Sequence, residues 1–149
     1  MRAATLCVVA ALTVGALSGC GKAPDPLAGK WDVSMPDDAA KGAVNVFEFR
    51  DGKVTFQRRT EVLGIGQVQV TTTGTYTIEG PEITLTRSGS EIDASAIKDP
   101  KLREQTVKVM EGMAKATEGK PLKYTLKVES PDRVVLGDPS ESITLNRSR

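Results

Sequence analysis

Few residues in this 149-residue chain could perform chemistry, because the sequence contains no histidine and only two cysteines, Cys7 and Cys20. Without histidine, the Ser-His-Asp and Cys-His arrangements are excluded, together with the commonest general base. The sequence also has no Gly-Lys-Ser/Thr phosphate loop and no Gly-x-Gly-x-x-Gly dinucleotide motif. We therefore expect a protein that is not an enzyme and that uses no cofactor.

The remaining candidates are carboxylates and a pair of arginines. Asp37-Asp38 and Glu91 with Asp93 offer oxygen ligands of the kind that calcium prefers. Their spacing matches no known calcium loop, so we interpret them as solvated turns and predict no metal site. Arg58 and Arg59 must point to opposite faces of a strand. In one hypothesis Arg58 faces a barrel interior and meets an anionic ligand; in the other the pair is exposed to solvent beside a bulge.

The N-terminal residues have the pattern of a secretory signal, with a basic start at Arg2, an apolar stretch and small residues before Cys20. The apolar stretch is shorter than the roughly 20 apolar residues that a spanning helix needs. Leu17-Ser18-Gly19-Cys20 resembles the lipobox of bacterial lipoproteins. The resemblance implies cleavage before Cys20 and attachment of acyl chains to this cysteine. Two or more chains make a stable membrane anchor.

This interpretation divides the chain into a signal peptide (1–19), a lipidated cysteine with a tether (20–26) and one domain (27–149). Gly21 stands where an aspartate would signal inner-membrane retention, so the resemblance implies outer-membrane delivery in a host that has an outer membrane. The mature chain would have no free thiol, and loss of Arg2 would leave equal numbers of basic and acidic residues. Without a basic patch, we expect no nucleic-acid partner.

Period-two alternation dominates the rest of the sequence and predicts about eight short strands. Asp51-Gly52 is a hairpin signal of the primed-turn type, and Gly74 allows a bulge or corner. Gly80-Pro81 and Pro131-Asp132 are further turn signals. Strands at this spacing favour a sandwich or a barrel, and closing the sheet removes exposed edges. We predict a mainly β fold, an eight-stranded antiparallel up-and-down barrel.

One segment departs from the strand pattern and predicts an α-helix over about 100–118, inserted between the fifth and sixth strands. Asp99 can cap it, Pro100 suits its first position and Gly119 can end it. An apolar stripe recurs at helical spacing, formed by Leu102, Thr106, Val109, Met110, Met113 and Thr117. We expect the stripe to pack on the outer wall of the barrel. The alternative is a lid whose Met110 and Met113 contact an apolar ligand or partner.

Gly29-Lys30-Trp31 at the first predicted strand resembles the Gly-x-Trp opening of lipocalins and their small bacterial lipocalin-like relatives. The similarity extends over most of residues 27–147, through Phe49-Arg50-Asp51-Gly52, Gly74-Thr75-Tyr76 and Leu145-Asn146-Arg147. The resemblance implies a lipocalin-like barrel with Trp31 at its closed end. It also implies that Arg147 packs across the indole in a cation–π contact.

Together these observations predict a membrane-anchored, non-enzymatic binding or interaction module of the cell envelope. Its partners would be the membrane, through the N-terminal lipid, and either a small apolar ligand in the barrel or an envelope protein at its rim. The alternative is an envelope structural or stress-response lipoprotein without a small-molecule ligand. Aromatic residues form only 4% of the chain, which leaves few platforms for stacking sugars or bases.

Overall fold

A computed structural model describes residues 24–34, 43–62, 64–138 and 142–149. The predicted signal peptide, Cys20 and Asp37-Asp38 lie outside these residues. Within the described ranges the chain forms eight strands and one helix. In chain order they are β1 (Gly29–Ser34), β2 (Val44–Arg50), β3 (Lys53–Val62), β4 (Gly66–Glu79), β5 (Glu82–Asp93), α1 (Pro100–Thr117), β6 (Pro121–Ser130), β7 (Arg133–Gly137) and β8 (Ser142–Arg147).

The eight strands form a closed ring. Each strand pairs antiparallel with its neighbours in sequence, and β1 also pairs with β8, with Trp31 opposite Arg147. Closure gives every strand two neighbours, which protects the paired part of the ring from pairing with other chains. Three predictions are thereby confirmed: the mainly β fold, the up-and-down strand order and the position of the helix between β5 and β6.

The two ends of the ring differ in construction. One end, called here the closed end, carries the start of β1 and the hairpins after β2 and β4; Asp51 and Gly52 in the first hairpin both have positive φ, at 51° and 74°. The other end, called the open end, carries the turn between β3 and β4 and the exit from β5 towards α1. β3, β4 and β5 are 10, 14 and 12 residues long, whereas β1 and β8 have 6 residues each. Because β6 pairs with β5 only as far as Thr86, the long strands extend past their neighbour at the open end.

A bulge marks the point at which this extension begins. Gly74 is opposite Arg87 but Thr73 is opposite Gly89, so the register between β4 and β5 shifts by one residue. A Cβ on Gly74 would lie 2.3 Å from the carbonyl oxygen of Thr86, a distance that no side chain permits. The predicted bulge at Gly74 is therefore confirmed, and it reverses which residues of β5 face the barrel interior.

Apolar side chains form two separate clusters. The larger one fills the ring, and its buried members are Leu27, Trp31, Val33, Phe47, Phe49, Val54, Tyr76, Ile83, Leu85, Val134, Leu136, Ile143 and Leu145. The smaller one, called here the second cluster, has Val68, Ala94 and Ile97 at its centre. Leu102, Val107 and Met110 of α1 pack against it. The helix is thus held by the strand extension, outside the main core.

The predicted cap and first residue of α1 are present. The Asp99 carboxylate accepts hydrogen bonds from the backbone N–H groups of Lys101 and Leu102, at 2.9 and 3.1 Å. Pro100 occupies the first turn, where a missing N–H costs nothing. No residue of α1 is fully buried, so the helix contacts the sheet along one face only. None of the helices in the described ranges has the length and apolar character needed to cross a membrane.

Candidate binding site at the open end of the barrel

The closed end is sealed around Trp31, which is completely buried. Its indole Nε1 donates a hydrogen bond of 2.7 Å to the carbonyl oxygen of Leu27, another fully buried residue. The guanidinium carbon of Arg147 lies 4.3 Å from the centroid of the Trp31 ring. This is the arrangement that the lipocalin resemblance implies for the two residues, and its distance falls in the range of attractive cation–π contacts.

Arg147 also ties neighbouring segments together across this end. Its guanidinium donates to the carbonyl oxygens of Pro131 and Ala28, at 3.1 and 3.2 Å. The backbone of Gly29 lies so close that an added Cβ would stand 2.8 Å from Arg147 Nη1, and the φ of Gly29 is +122°. The glycine of the Gly-x-Trp sequence therefore makes room for the arginine.

A second contact holds the segment before β1 against the barrel. The Tyr76 hydroxyl donates a hydrogen bond to the Asp25 carboxylate, which also accepts a 2.9 Å bond from the backbone N–H of Leu27. Burial, followed by the hydrogen bond and the negative charge of Asp25, raises the pKa of Tyr76 to about 12. The Tyr76 ring meets Phe49 edge to face, with centroids 5.1 Å apart. Ligand entry at this end would require all of these contacts to break.

Aromatic rings fill the middle of the barrel. The centroid of Phe47 lies 5.4 Å from that of Phe49 and 4.6 Å from that of Phe56. Phe47 and Phe49 are buried, whereas Phe56, opposite Phe47 on β3, is only half-buried. The interior thus becomes accessible above Phe56.

A cavity of about 170 Å³ occupies this accessible part of the interior. Its lining combines apolar side chains with the polar residues of the bulge: Phe47, Val54, Phe56, Thr72, Thr73, Gly74, Leu85, Thr86, Arg87, Tyr124 and Ile143. Sites for drug-sized ligands usually measure about 300–1,000 Å³. An apolar cavity of about 150 Å³ is known to bind benzene. The available space therefore suits a single ring or a short aliphatic chain.

Arg58 lies on the inward face of β3, one inward position closer to the open end than Phe56. It is half-buried, and no hydrogen bond or ion pair joins it to another residue of the described part of the chain. Arg59 faces outwards and donates a 3.1 Å hydrogen bond to Gln69. The structure thus separates the two arginines as expected for a strand. The inward one is a cation at the approach to the cavity.

The helix packs on the inward face of the strand extension. Val68 and Val70, which meet α1 in the second cluster, lie on the same side of β4 as the interior residues Thr72 and Tyr76. The expectation that α1 packs on the outer wall is therefore wrong. The physical reason is the length of β4 and β5. Their inward faces continue beyond the ring, where no opposite strand covers them, and α1 packs on them instead.

Only part of the predicted apolar stripe makes this contact. Met110 packs in the second cluster, but Val109 and Met113 are 63% and 68% exposed. The contact face instead passes through Val107 and the half-buried Ala114. Neither methionine lines the cavity.

Arg87, which the sequence analysis did not identify, joins the end of the helix to the cavity rim. Its guanidinium donates a hydrogen bond to the Thr117 hydroxyl, and its carbonyl oxygen accepts a 2.9 Å bond from the backbone N–H of Gly119. Nearby, the hydroxyls of Thr72 and Ser90 form a 3.1 Å hydrogen bond. The rim of the cavity therefore carries hydrogen-bonding groups above an apolar floor.

Of the carboxylates considered as metal ligands, Glu91 and Asp93 lie within the described residues and form no metal site there. A hydrogen bond from the Ser95 side chain, followed by the 2.9 Å bond from the backbone N–H of Ser95, lowers the pKa of Asp93. Glu91 is exposed on the outward face of β5. Among the residues that the structure describes, no group of three or more acidic, histidine or cysteine side chains is placed to hold a metal ion.

Comparisons with known proteins find similarity at the level of structure. No protein-family model matches the sequence, and no curated protein matches it. A lipocalin-like protein from Bacteroides uniformis has 17% sequence identity and a TM-score of 0.45, over 83% of this chain and 100% of that chain. An uncharacterized protein from Bacteroides eggerthii has 13% identity and a TM-score of 0.43, over 82% of this chain and 99% of that chain.

Proposed function

We propose that this protein is a lipid-anchored, non-enzymatic binding module of the cell envelope that takes a small apolar ligand at the open end of its barrel. The observation that carries the proposal is the cavity above Phe47 and Phe56. Its volume of about 170 Å³ limits the buried part of the ligand to about one ring or a short aliphatic chain. Hydrophobic burial in such a cavity contributes roughly 25 cal/mol per Å² of apolar surface removed from water.

The polar group of the ligand would lie towards Arg58. A cation above an apolar floor favours a ligand whose apolar part enters the cavity while an acidic group stays at the approach. Arg58 is half-buried on the inward face of β3, which places its charge where an acidic group of a bound ligand would lie. The proposed ligand class is therefore a short amphipathic molecule with a ring or aliphatic chain and one anionic group.

A filling substitution tests the cavity. Thr72 lines it, whereas Thr71 on the same strand points to the opposite face. Thr72→Phe should abolish binding of the fluorescent single-ring probe anthranilate, and Thr71→Phe, the matched control, should leave binding unchanged. Titrations followed by probe fluorescence, with urea denaturation of each variant, separate loss of binding from loss of folding. Unchanged binding by a folded Thr72→Phe variant would exclude the cavity as the site.

The two arginines provide a second matched pair. Arg58→Gln should weaken binding of anthranilate and leave binding of its uncharged amide, the fluorescent probe anthranilamide, unchanged. Arg59→Gln should affect neither probe, because Arg59 faces outwards and bonds Gln69. A charge-assisted hydrogen bond contributes about 1.5–3 kcal/mol, which corresponds to a loss of about ten-fold or more in affinity. Equal losses for both probes would show that Arg58 acts on the fold and not on the ligand charge.

The anchor is proposed from the sequence around Cys20. Leu17-Ser18-Gly19-Cys20 after an apolar stretch supports cleavage before the cysteine and acylation of its thiol and amine. Gly21 supports delivery to the outer membrane in a host that has one. Mass spectrometry of the mature N-terminal peptide should find acylated Cys20, and Cys20→Ser should leave the precursor uncut. Recovery of mature protein with a free Cys20 thiol would contradict the anchor, and fractionation of the envelope assigns the membrane.

The alternative is a structural envelope lipoprotein without a small ligand. The exposed side chains of Val109 and Met113 favour it, because they leave an apolar surface on α1 free to contact another protein. If the folded wild-type protein binds neither probe, this alternative replaces the binding module.

A further inference from the structure

The segment that would carry the lipid is fixed to the closed end of the barrel. Asp25 is held by Tyr76 through its carboxylate, and its backbone carbonyl accepts a 3.3 Å hydrogen bond from Ala28. Leu27 is completely buried and accepts the indole N–H of Trp31. The chain therefore joins the folded domain at Asp25, directly against the sealed end.

Only a short stretch of chain separates this point from Cys20. The sequence between them spans five residue steps, which extend at most about 18 Å. The barrel is taller than this reach. β3 has ten residues and so runs roughly 33 Å along the strand; at the usual tilt of about 40° its height is roughly 25 Å. A lipid in the bilayer therefore cannot be connected past the barrel to its opposite end.

We propose that the closed end, around Gly29, Trp31 and Arg147, is the membrane-facing surface of the protein and that the open end points away from the bilayer into the aqueous compartment. This inference rests on the proposed lipid anchor at Cys20 and extends the proposed function. The ligand then enters from water and not by lateral passage out of the membrane. The class of ligand that this geometry suits is one with appreciable solubility in water, in agreement with the small cavity.

Tether length, and not surface charge, sets this orientation. The closed end carries charges of both signs, with Arg50 near Glu48 and Arg147 near Asp132. Mixed charges give weak net attraction to an anionic membrane. Lengthening the tether should therefore allow the barrel to adopt other orientations on the membrane, whereas raising the salt concentration should not change its orientation.

Two labels on one strand test the orientation. Lys53 and Glu61 are exposed residues of β3, at its closed and open ends, roughly 26 Å apart along the strand. The mature lipoprotein has no free thiol, so Lys53→Cys and Glu61→Cys each give one site for a fluorescent label. The labelled, lipidated proteins are reconstituted into phosphatidylcholine vesicles that carry an energy-transfer acceptor on the lipid headgroup. Transfer should be at least about two-fold greater from position 53 than from position 61, because at a tilt of about 40° the two positions differ in height above the membrane by roughly 20 Å.

The outcomes separate the two proposals. Protein that fails to float with the vesicles overturns the anchor and the orientation together. Protein that floats but transfers equally from both labels, or more from position 61, overturns the orientation and leaves the anchor standing. As a control, about 20 Gly/Ser residues inserted after Lys22 form a flexible linker of roughly 25 Å. The difference between the labels should then shrink; an unchanged difference would show that tether length is not its cause.

Discussion

The contact between Trp31 and Arg147 predicts a measurable coupling between the first and last strands of the barrel. The perturbations are Arg147→Ala, Trp31→Phe and both together. Phenylalanine is preferred to alanine at position 31, because truncating a fully buried Trp to Ala typically costs about 3–5 kcal/mol and would hide the smaller coupling.

The magnitudes follow from the contacts of each side chain. Arg147→Ala removes a cation–π contact at 4.3 Å, worth roughly 0.5–2 kcal/mol. It also removes hydrogen bonds to two exposed carbonyls, which water can replace, and a 3.5 Å ion pair with the exposed Asp132 that contributes about 0–1 kcal/mol. We expect a total loss of about 1–3 kcal/mol. Trp31→Phe leaves the carbonyl of Leu27 without its donor, which costs about 1–3 kcal/mol.

The assay is urea denaturation at pH 7 followed by far-ultraviolet circular dichroism. Fluorescence is unsuitable because Trp31 is the only tryptophan of the chain. The double variant should be less destabilised than the sum of the single variants by about 0.5–1 kcal/mol, because phenylalanine retains part of the cation–π contact and only the lost part is shared by the two single variants. In the control cycle Arg133→Ala, which removes an ion pair with Glu129, should show a coupling to Trp31→Phe within about 0.3–0.5 kcal/mol of zero. A coupling equally close to zero for Arg147 would refute the stacking argument.

Three further predictions concern other contacts. Gly29→Ala should lower the free energy of unfolding by about 1–3 kcal/mol, because it sets a Cβ against Arg147 at a positive φ; a loss below about 0.5 kcal/mol in urea denaturation contradicts this. Met110→Ala should cost about 1–3 kcal/mol through the second cluster, whereas Met113→Ala should stay within about 0.5 kcal/mol because Met113 is exposed; equal costs would mean that α1 packs differently. The pKa of Tyr76 is raised from 10.0 to about 12, so its stabilising contribution is complete below pH 10 and is lost as the pH rises through 12. Denaturation at steps across this range should show a smaller decrease for Tyr76→Phe than for wild type, and equal decreases in the two proteins would contradict this cause.

Features with local causes were predictable from the sequence. The hairpin at Asp51-Gly52 depends on two adjacent residues that adopt positive φ, and the start of α1 depends on Asp99 and Pro100. The strands follow from alternation alone, because one buried face is enough to impose a period of two. The bulge could be predicted from Gly74 alone. The reversal of the inward-facing positions of β5 that the bulge causes could not.

The packing of the helix was not predictable, because its cause is distant in sequence. The predicted stripe and the contact face share Leu102 and Met110 and differ in using Val109 and Met113 or Val107 and Ala114, so the apolar pattern does not decide between them. The face of α1 that contacts the sheet is set by the positions of Val68 and Ile92. Both residues lie on the parts of β4 and β5 that extend past the ring. On the contact face the half-buried Ala114 takes the place that the sequence pattern gives to Met113, which is 68% exposed. The Tyr76 contact with Asp25 escaped prediction for the same reason, since 51 residues separate the partners.

The cavity follows from the bulge. An eight-stranded barrel is just wide enough for side chains to fill its interior, so open space requires small residues at inward positions. On β4 the inward positions between Tyr76 and Val70 are Gly74 and Thr72, and both line the cavity. Gly74 has no side chain because the carbonyl of Thr86 occupies that place. The irregularity that turns the extended part of β5 towards α1 therefore also removes a side chain from the interior. Enlarging position 74 to fill the cavity would break the register of β4 and β5, whereas Thr72 can be enlarged without touching the bulge backbone. Substitution of Thr72 therefore tests the contribution of the cavity to ligand binding, whereas substitution of Gly74 also disturbs the fold.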